Sequence, residues 1–144
     1  MITFTAPDGS KVKIDAKRVV RARRTISGES SNAKTRIDWA IMNLVQEPID
    51  DVARQIRNEL ESFTSLTSRD GSKIWFDATQ VVGPLPLTPS QSDGVVKSSI
   101  KLMGYRQFVT EDAAQVGAVL AKAGGSPLSK AVRPTKVAKR KRRT

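Results

Sequence analysis

The chain has 144 residues and contains neither cysteine nor histidine, so disulfides, thiol nucleophiles, histidine-based triads and most zinc sites are excluded. Its net charge of +11 is unevenly placed: residues 126–144 hold eight basic residues and no acidic one, which leaves 25 − 8 = 17 basic against 14 acidic residues in positions 1–125. No apolar run approaches the roughly 20 residues of a membrane span, and the N-terminus has no secretory signal pattern, so we expect a cytoplasmic protein without membrane insertion.

The first elements along the chain are short strands. Apolar residues alternate with polar ones at 2–5 and again at 12–14, and the Asp8-Gly9 pair between them is typical of a tight hairpin turn. A less regular strand pattern covers 19–26. After a polar loop, residues 35–41 alternate again and lead into the brief apolar pair Leu44-Val45.

A helix follows these strands, because the apolar period changes after Glu47. One helical stripe is formed by Ile49, Val52, Ala53, Ile56, Leu60 and Phe63. Pro48 suits a first helical turn, and the carboxylates of Asp50 and Asp51 complement the helix dipole there. The pattern predicts a helix near residues 48–61.

The segment at residues 8–20 recurs at residues 70–82, at a constant offset of 70 − 8 = 62 positions. Eight of the thirteen aligned pairs are identical, and two further pairs, Val12/Ile74 and Ile14/Phe76, remain apolar. A self-match of this length indicates two copies of one structural unit.

The second copy repeats the same order of elements. Prolines at 84, 86 and 89 make an internal strand unfavourable at 83–89, after which alternation resumes at 96–102. Thr110 is the expected helix cap, and a shorter helix is predicted near 111–123, ending at Gly124-Gly125.

We therefore predict an α+β protein built by tandem duplication of a β-rich module of about three or four strands followed by one helix. The predicted boundaries are 1–63 for the first unit, 64–125 for the second and 126–144 for a flexible basic tail. Residues 126–144 combine small residues, two prolines and eight positive charges, a composition that cannot bury a core and favours disorder.

The repeated carboxylates are the candidates for acid–base chemistry. Asp8 and Asp70 lie in the predicted turns, while Asp15 and Asp77 follow a strand in each copy. Since repetition together with the fold is what a structural role predicts, we assign the first pair to turn formation and the second to side-chain-to-backbone hydrogen bonds. We accordingly expect neither enzymatic activity nor a cofactor.

A cluster of basic residues distinguishes the first copy from the second. Positively charged side chains crowd one predicted strand of the first copy at Lys17, Arg18, Arg21, Arg23 and Arg24, whereas the aligned positions of the second copy are uncharged. Arg21 and Arg23 would project from one side of a strand about 7 Å apart, close to the spacing of phosphates along a nucleic-acid strand. The alternative is an edge strand protected from aggregation by its charge.

The predicted tail carries the second basic cluster. Its candidate phosphate contacts are Lys136, Lys139, Arg140, Lys141, Arg142 and Arg143. Such runs serve as nucleic-acid arms, polyanion anchors, targeting signals or solubilising tails. The two clusters together favour a DNA- or RNA-binding protein with little sequence preference. The alternative is a structural or adaptor protein that contacts protein partners through its duplicated sheets.

Each copy also resembles the short module of the FlbD-like (SwrD) flagellar and swarming-motility family. The resemblance rests on the Asp-Gly turn, the hydrophobic pairs Val19-Val20 and Val81-Val82, and the "V-x-E" triplets at 45–47 and 109–111 before each helix. It covers residues 1–124 and implies a small non-catalytic protein with a motility-associated role. Family members are single modules without the basic tail.

Overall fold

The computed structural model describes residues 1–26, 28–39 and 41–128, and it shows the predicted α+β class. Residues 27, 40 and 129–144 lie outside the described part of the chain. The tail prediction therefore falls mostly outside it, together with six candidate contact residues: Lys136, Lys139, Arg140, Lys141, Arg142 and Arg143.

The two units repeat one order of elements. The first consists of β1 (Ile2–Thr5), β2 (Lys11–Ile14), a 3₁₀ turn (Ala16–Arg18), β3 (Arg21–Arg24), β4 (Thr35–Trp39), β5 (Ile41–Val45) and α1 (Ile49–Glu59). The second consists of β6 (Phe63–Thr67), β7 (Lys73–Asp77), a 3₁₀ turn (Ala78–Gln80), β8 (Val81–Leu85), β9 (Ser98–Leu102), β10 (Tyr105–Val109) and α2 (Ala113–Lys122). Each unit has five strands, more than the three or four predicted, because the brief apolar pair before each helix belongs to a full strand.

The Asp-Gly pairs form the hairpin turns, as predicted. Asp8 Oδ1 accepts hydrogen bonds from Ser10 N at 2.9 Å and Ser10 Oγ at 2.6 Å. Asp70 accepts the equivalent pair from Ser72 and a further bond from Ser68 Oγ. These hydrogen bonds hold the pKa of both carboxyl groups below the usual Asp range. Gly9 and Gly71 follow with φ near +90°, which explains why both copies have glycine there.

Asp15 and Asp77 begin the two 3₁₀ turns. Asp15 Oδ1 accepts from Lys17 N at 3.2 Å, and Asp77 Oδ1 accepts from Thr79 N at 2.9 Å. The prediction of side-chain-to-backbone bonds is confirmed, and the duplication of these carboxylates follows from the duplicated backbone.

The strands form three sheets, one of which crosses the boundary between the units. β1 pairs with β2, and β8, β9 and β10 form an antiparallel meander. The five-stranded sheet has the order β5-β4-β3-β7-β6, so the hairpin of the second unit extends the meander of the first. Arg21 lies opposite Phe76, Ala22 lies opposite Trp75, and Asp77 N donates to Val20 O at 3.0 Å.

Two hydrophobic cores lie beneath these sheets. The first includes Phe4, Ile14, Ile37, Ile56 and Phe63, and Trp75 of the second unit packs against it. The second includes Leu66, Phe76, Ile100, Val116 and Leu120. α1 buries Val52, Ala53 and Ile56 of its predicted stripe, and α2 buries Val116 and Leu120. The predicted stripe of α1 extended too far, because Leu60 follows the helix and Phe63 begins β6.

One glutamate in each unit ties the start of the helix to the first strand. The Glu47 carboxylate accepts from Thr5 N and Thr5 Oγ1 at 2.9 and 3.0 Å, and Glu111 makes the same two contacts with Thr67. These are the glutamates of the "V-x-E" triplets. Their repetition therefore reflects a side-chain link between strand and helix.

Two local predictions need correction. Thr110 does not cap α2: the N-cap is Asp112, whose carboxylate accepts from Gln115 N while the Gln115 side chain accepts from Asp112 N, both at 2.9 Å. This reciprocal capping box satisfies two backbone donors, which a lone Thr110 hydroxyl would not. β8 also extends through Pro84 to Leu85, which an edge strand tolerates because one of its sides needs no N–H donors.

Candidate nucleic-acid interface

The basic cluster predicted on one strand separates into two groups in the structure. Arg21, Arg23 and Arg24 lie on β3, whereas Lys17 and Arg18 lie on the preceding 3₁₀ turn. Arg21 and Arg23 are two residues apart on the strand, as expected, and each is largely covered, with side-chain exposures of 16% and 17%. Arg21 and Arg23 therefore differ from Lys17 and Arg18, whose side chains on the turn are exposed to solvent.

Carboxylates neutralise the β3 arginines. Arg21 Nε donates to Asp38 Oδ2 at 2.8 Å, and the two residues are opposite each other in the β3–β4 ladder. The two terminal nitrogens of the Arg23 guanidinium group donate to the two carboxylate oxygens of Glu29, at 3.2 and 3.1 Å. The Arg23 hydrogen bond lowers the pKa of Glu29, with further lowering by the charge of Arg36.

Arg36 connects the two pairs into one network. Its Nε donates to Asp38 Oδ1 at 3.0 Å, and its Nη1 lies 3.6 Å from Glu29. We call this set of five residues the β3–β4 ion network: Arg21, Arg23, Glu29, Arg36 and Asp38. Three guanidinium groups share two carboxylates, so most of the charge on this face is compensated within the fold.

The network explains the charge difference between the copies. Arg21 corresponds to Gly83 by the offset of 62 positions, and Asp38 corresponds to Lys101 because each is the fourth residue of its strand, β4 or β9. The arginine and its carboxylate are thus both absent from the second copy. The asymmetry that suggested a function private to the first copy therefore has a structural explanation for Arg21 and Arg23.

Arg24 forms an exposed contact between the units. Its guanidinium lies 3.6 Å from Asp70 in the β6–β7 turn, and both side chains are about 60% exposed, at 59% and 61%. Solvent screens such a pair strongly. Arg24 is consequently more accessible to an anionic partner than Arg21 and Arg23 are.

Lys17 and Arg18 are exposed on the first 3₁₀ turn. The Arg18 guanidinium lies 6.0 Å from the ring centroid of Trp39, within the range of a cation–π contact. Within residues 1–26, 28–39 and 41–128, neither side chain forms an ion pair. Their charge remains uncompensated there.

Two further lysines extend this exposed group, and the sequence analysis did not select them. Lys11 and Lys13 lie on β2 and point outward, because they alternate with Val12 and Ile14, which turn toward the core. Strand alternation was the available signal, but it was used to place the apolar residues only. We define the β2 basic stripe as Lys11, Lys13, Lys17 and Arg18.

The stripe belongs to the first unit only. The aligned positions in the second unit are Lys73, Trp75, Thr79 and Gln80, of which one is charged. Unlike Arg21 and Arg23, the four residues of the stripe form no ion pair with a carboxylate of the described residues. It is therefore a candidate anion-binding surface within the described part of the chain.

The remaining surface offers little for small-molecule chemistry. An open groove of about 670 Å³ beside the β6–β7 turn is lined by Ser68, Arg69, Asp70, Gln91, Val96, Gln107 and Phe108, and its Asp70 carboxylate is already engaged by serines. In the described part of the chain, no group of three carboxylates is placed to hold a metal ion. No helix described is long and apolar enough to cross a membrane.

Comparison with known proteins gives no assignment: no protein-family model matches the chain, and neither curated proteins nor solved structures include a match. The function must be inferred from the geometry and charge of this chain itself.

Proposed function

We propose that this protein binds nucleic acid without strong sequence preference, using its C-terminal basic segment and the β2 basic stripe, and has no enzymatic activity. The observation that carries the proposal is the separation of charge. Eight basic residues lie in positions 126–144 without an acidic residue, while Arg21, Arg23 and Arg36 are compensated by Asp38 and Glu29. Uniform solubilisation of the surface would not require this separation.

The affinity in this proposal arises from phosphate contacts. Lys and Arg side chains release condensed counterions from the backbone, so log K falls linearly with log salt at a slope of about −0.9 per contact on duplex DNA. Lys139, Arg140, Lys141, Arg142 and Arg143 would supply about five contacts and a slope near −4 to −5. Among the described aromatic side chains only Tyr105 is mostly exposed, and a single ring does not form a platform for successive bases, which favours contact with phosphates over recognition of bases.

The contribution of the body of the protein is assigned differently from the initial prediction. We assign direct phosphate contact to Lys11, Lys13, Lys17 and Arg18. Arg21 and Arg23 act in folding, because an anion could recruit them only after their bonds with Asp38 and Glu29 were broken. Arg24 is an intermediate case with a weak, exposed partner.

A salt titration of binding to DNA and RNA tests the proposal. The native chain is compared with two variants. One lacks residues 129–144 and keeps every residue that the structure describes, and the other carries Lys13→Ala/Lys17→Ala. We expect the truncation to remove most of the salt slope and the double substitution to reduce it by about two contacts. The matched control is Lys97→Ala/Lys101→Ala, which removes the same charge from the second unit and should change the slope little. Equal, weak binding by native and truncated chains near physiological salt would contradict the proposal.

One observation supports the alternative of a protein-binding adaptor. Ile41 and Tyr105 occupy equivalent positions at the start of β5 and β10, and they are 71% and 78% exposed. Repeated exposure of large apolar residues is not explained by folding. A motility-associated adaptor, as the FlbD-like resemblance implies, is one form of this alternative. Partners captured from a lysate that survive nuclease and high salt, and are lost in Ile41→Ser/Tyr105→Ser, would favour it.

The proposal also implies a cytoplasmic protein associated with a nucleoid or a ribonucleoprotein particle. Nuclear localisation would be the equivalent in a eukaryotic cell.

A further inference from the structure

The pairing that joins the two units leaves an equivalent pair of strand edges without a partner. β3 of the first unit pairs with β7 of the second. By the internal offset of 62 positions, β3 corresponds to residues in β8, and β7 corresponds to β2. Among the described residues, β8 pairs only with β9 and β2 only with β1, so each has one open edge.

We propose that these two edges are the halves of a self-association interface that copies the β3–β7 pairing, and that the chain itself blocks both halves. In the unblocked arrangement, β2 of one copy would lie against β8 of a second copy. The two surfaces are different, so the contact would be head-to-tail and would continue as a filament. The blocking residues prevent this association, so that each chain remains a monomer of two units.

Lys13 blocks the β2 edge. Its counterpart in the internal interface is Trp75, which lies opposite Ala22, packs against the first core and stacks on Phe63 with ring centroids 5.9 Å apart. Lys13 would place an ammonium group where Trp75 places an indole ring. Burying that charge against an apolar core is costly, and lysine on an open edge is a common protection against strand pairing.

Pro84 and the C-terminal segment block the β8 edge. Pro84 occupies the position of Ala22 but has no N–H to donate to a partner strand. Leu128 N donates to Gly83 O at 2.8 Å, in the irregular part of β8 that lies between the residues paired with β9. The segment passes so close to the fold that a Cβ at Gly125 would lie 2.7 Å from Ala78 O. The Gly83 carbonyl of β8 therefore already accepts a hydrogen bond from within the chain.

The two edges can be opened separately, which gives a test specific to a head-to-tail interface. Lys13→Trp opens the β2 edge, and Pro84→Ala/Leu128→Pro opens the β8 edge by restoring one N–H and removing the donor to Gly83. Each variant retains one blocked edge, so we expect each to be monomeric alone at roughly 100 μM, a concentration that detects micromolar association. Their equimolar mixture should form a 1:1 dimer in sedimentation velocity, and a chain with all three substitutions should form oligomers that grow with concentration.

Lys11→Trp provides the matched control, because it places the same side chain two residues away, at a position where both units carry lysine. It should not associate with the β8-open variant. The proposal is overturned if the mixture stays monomeric while both variants retain native circular dichroism, if Lys11→Trp associates equally, or if either variant assembles alone. Should Pro84→Ala/Leu128→Pro fail to fold, a Pro84→Ala chain that lacks residues 128–144 replaces it as the β8-open partner, because both blocks are absent from it as well. Absence of its dimer with Lys13→Trp also overturns the proposal.

Discussion

The outer face of β3 and β4 in the first unit carries four linked charges and binds a fifth, Glu29, from the loop between these strands. The corresponding face of β8 and β9 carries mostly small or neutral residues. The backbone order is the same in both units. In the second unit, Arg106 donates to Pro86 O at 3.0 Å and to Ser99 Oγ at 3.3 Å, and no described carboxylate takes part. Both copies of the duplicated fold therefore keep their turns, 3₁₀ caps and glutamate links, whereas the chemistry of the outer sheet face differs between them.

The largest expected loss of stability comes from a substitution that tests whether the two units unfold independently of each other. Phe76 is fully buried in the second core, yet its strand pairs with β3 of the first unit. Phe76→Ala should lower the free energy of unfolding by about 3–5 kcal/mol. Because the five-stranded sheet crosses the units, denaturant unfolding should remain one transition by tryptophan fluorescence and by circular dichroism.

Tyr105→Ala is the control for that experiment, since its side chain is 78% exposed and its loss should change stability by less than about 0.5 kcal/mol. Two separated transitions would show that the units unfold independently and that the shared sheet does not couple them.

A smaller effect should separate the two outer faces directly. Asp38 is buried and accepts hydrogen bonds from Arg21 and Arg36. Asp38→Ala should destabilise the protein by about 2–3 kcal/mol, because two largely covered guanidinium groups lose their acceptor. The aligned Lys101→Ala should cost less than about 0.5 kcal/mol. Thermal denaturation of the two variants at neutral pH measures the difference, and equal losses would contradict the assigned role of the network.

The smallest effect concerns the pH dependence of the same network. The pKa of Glu29 is lowered by its bond from Arg23, so its stabilising contribution is fully present at neutral pH and is lost as pH falls through the lowered value, below the usual Glu range near 4.3. Glu29→Gln should therefore cost about 1–2 kcal/mol at pH 7 and progressively less below about pH 4. Urea titrations of both chains at a series of pH values provide the measurement. A difference that stays constant down to about pH 3 would show that the charge of Glu29 does not stabilise the fold.

Much of the fold was accessible from the sequence because the two copies support each other. The Asp-Gly turns, the roles of Asp15 and Asp77 and the helical stripes depend on local spacing, which is preserved in both copies. The pairing of β3 with β7 was not predicted. Strand alternation shows which side chains turn inward, but it does not say which strand lies at the neighbouring edge.

The candidate site was predicted less completely for a related reason. Counting charges selected Arg21 and Arg23, but their partners Asp38 and Glu29 are several residues away and meet them only across the sheet or through a loop. Lys11 and Lys13 were not predicted as site residues, because strand alternation identifies outward-facing lysines but does not show which of them lack a carboxylate partner. Local charge density alone does not distinguish an arginine that stabilises a sheet from one that is available to a ligand.

The β3–β7 pairing has a consequence for synthesis on the ribosome. The first unit is complete at Glu59, but the strand that covers β3 ends at Asp77, 77 − 59 = 18 residues later. At roughly 5–20 residues per second, the nascent first unit would carry an uncovered strand edge for about 1–4 s. During that interval the charged side chains of β3 would be its protection against neighbouring nascent chains. Arg21 and Arg23 would already be paired with Asp38 and Glu29 during that interval, whereas Arg24 would still lack Asp70, its partner in the β6–β7 turn.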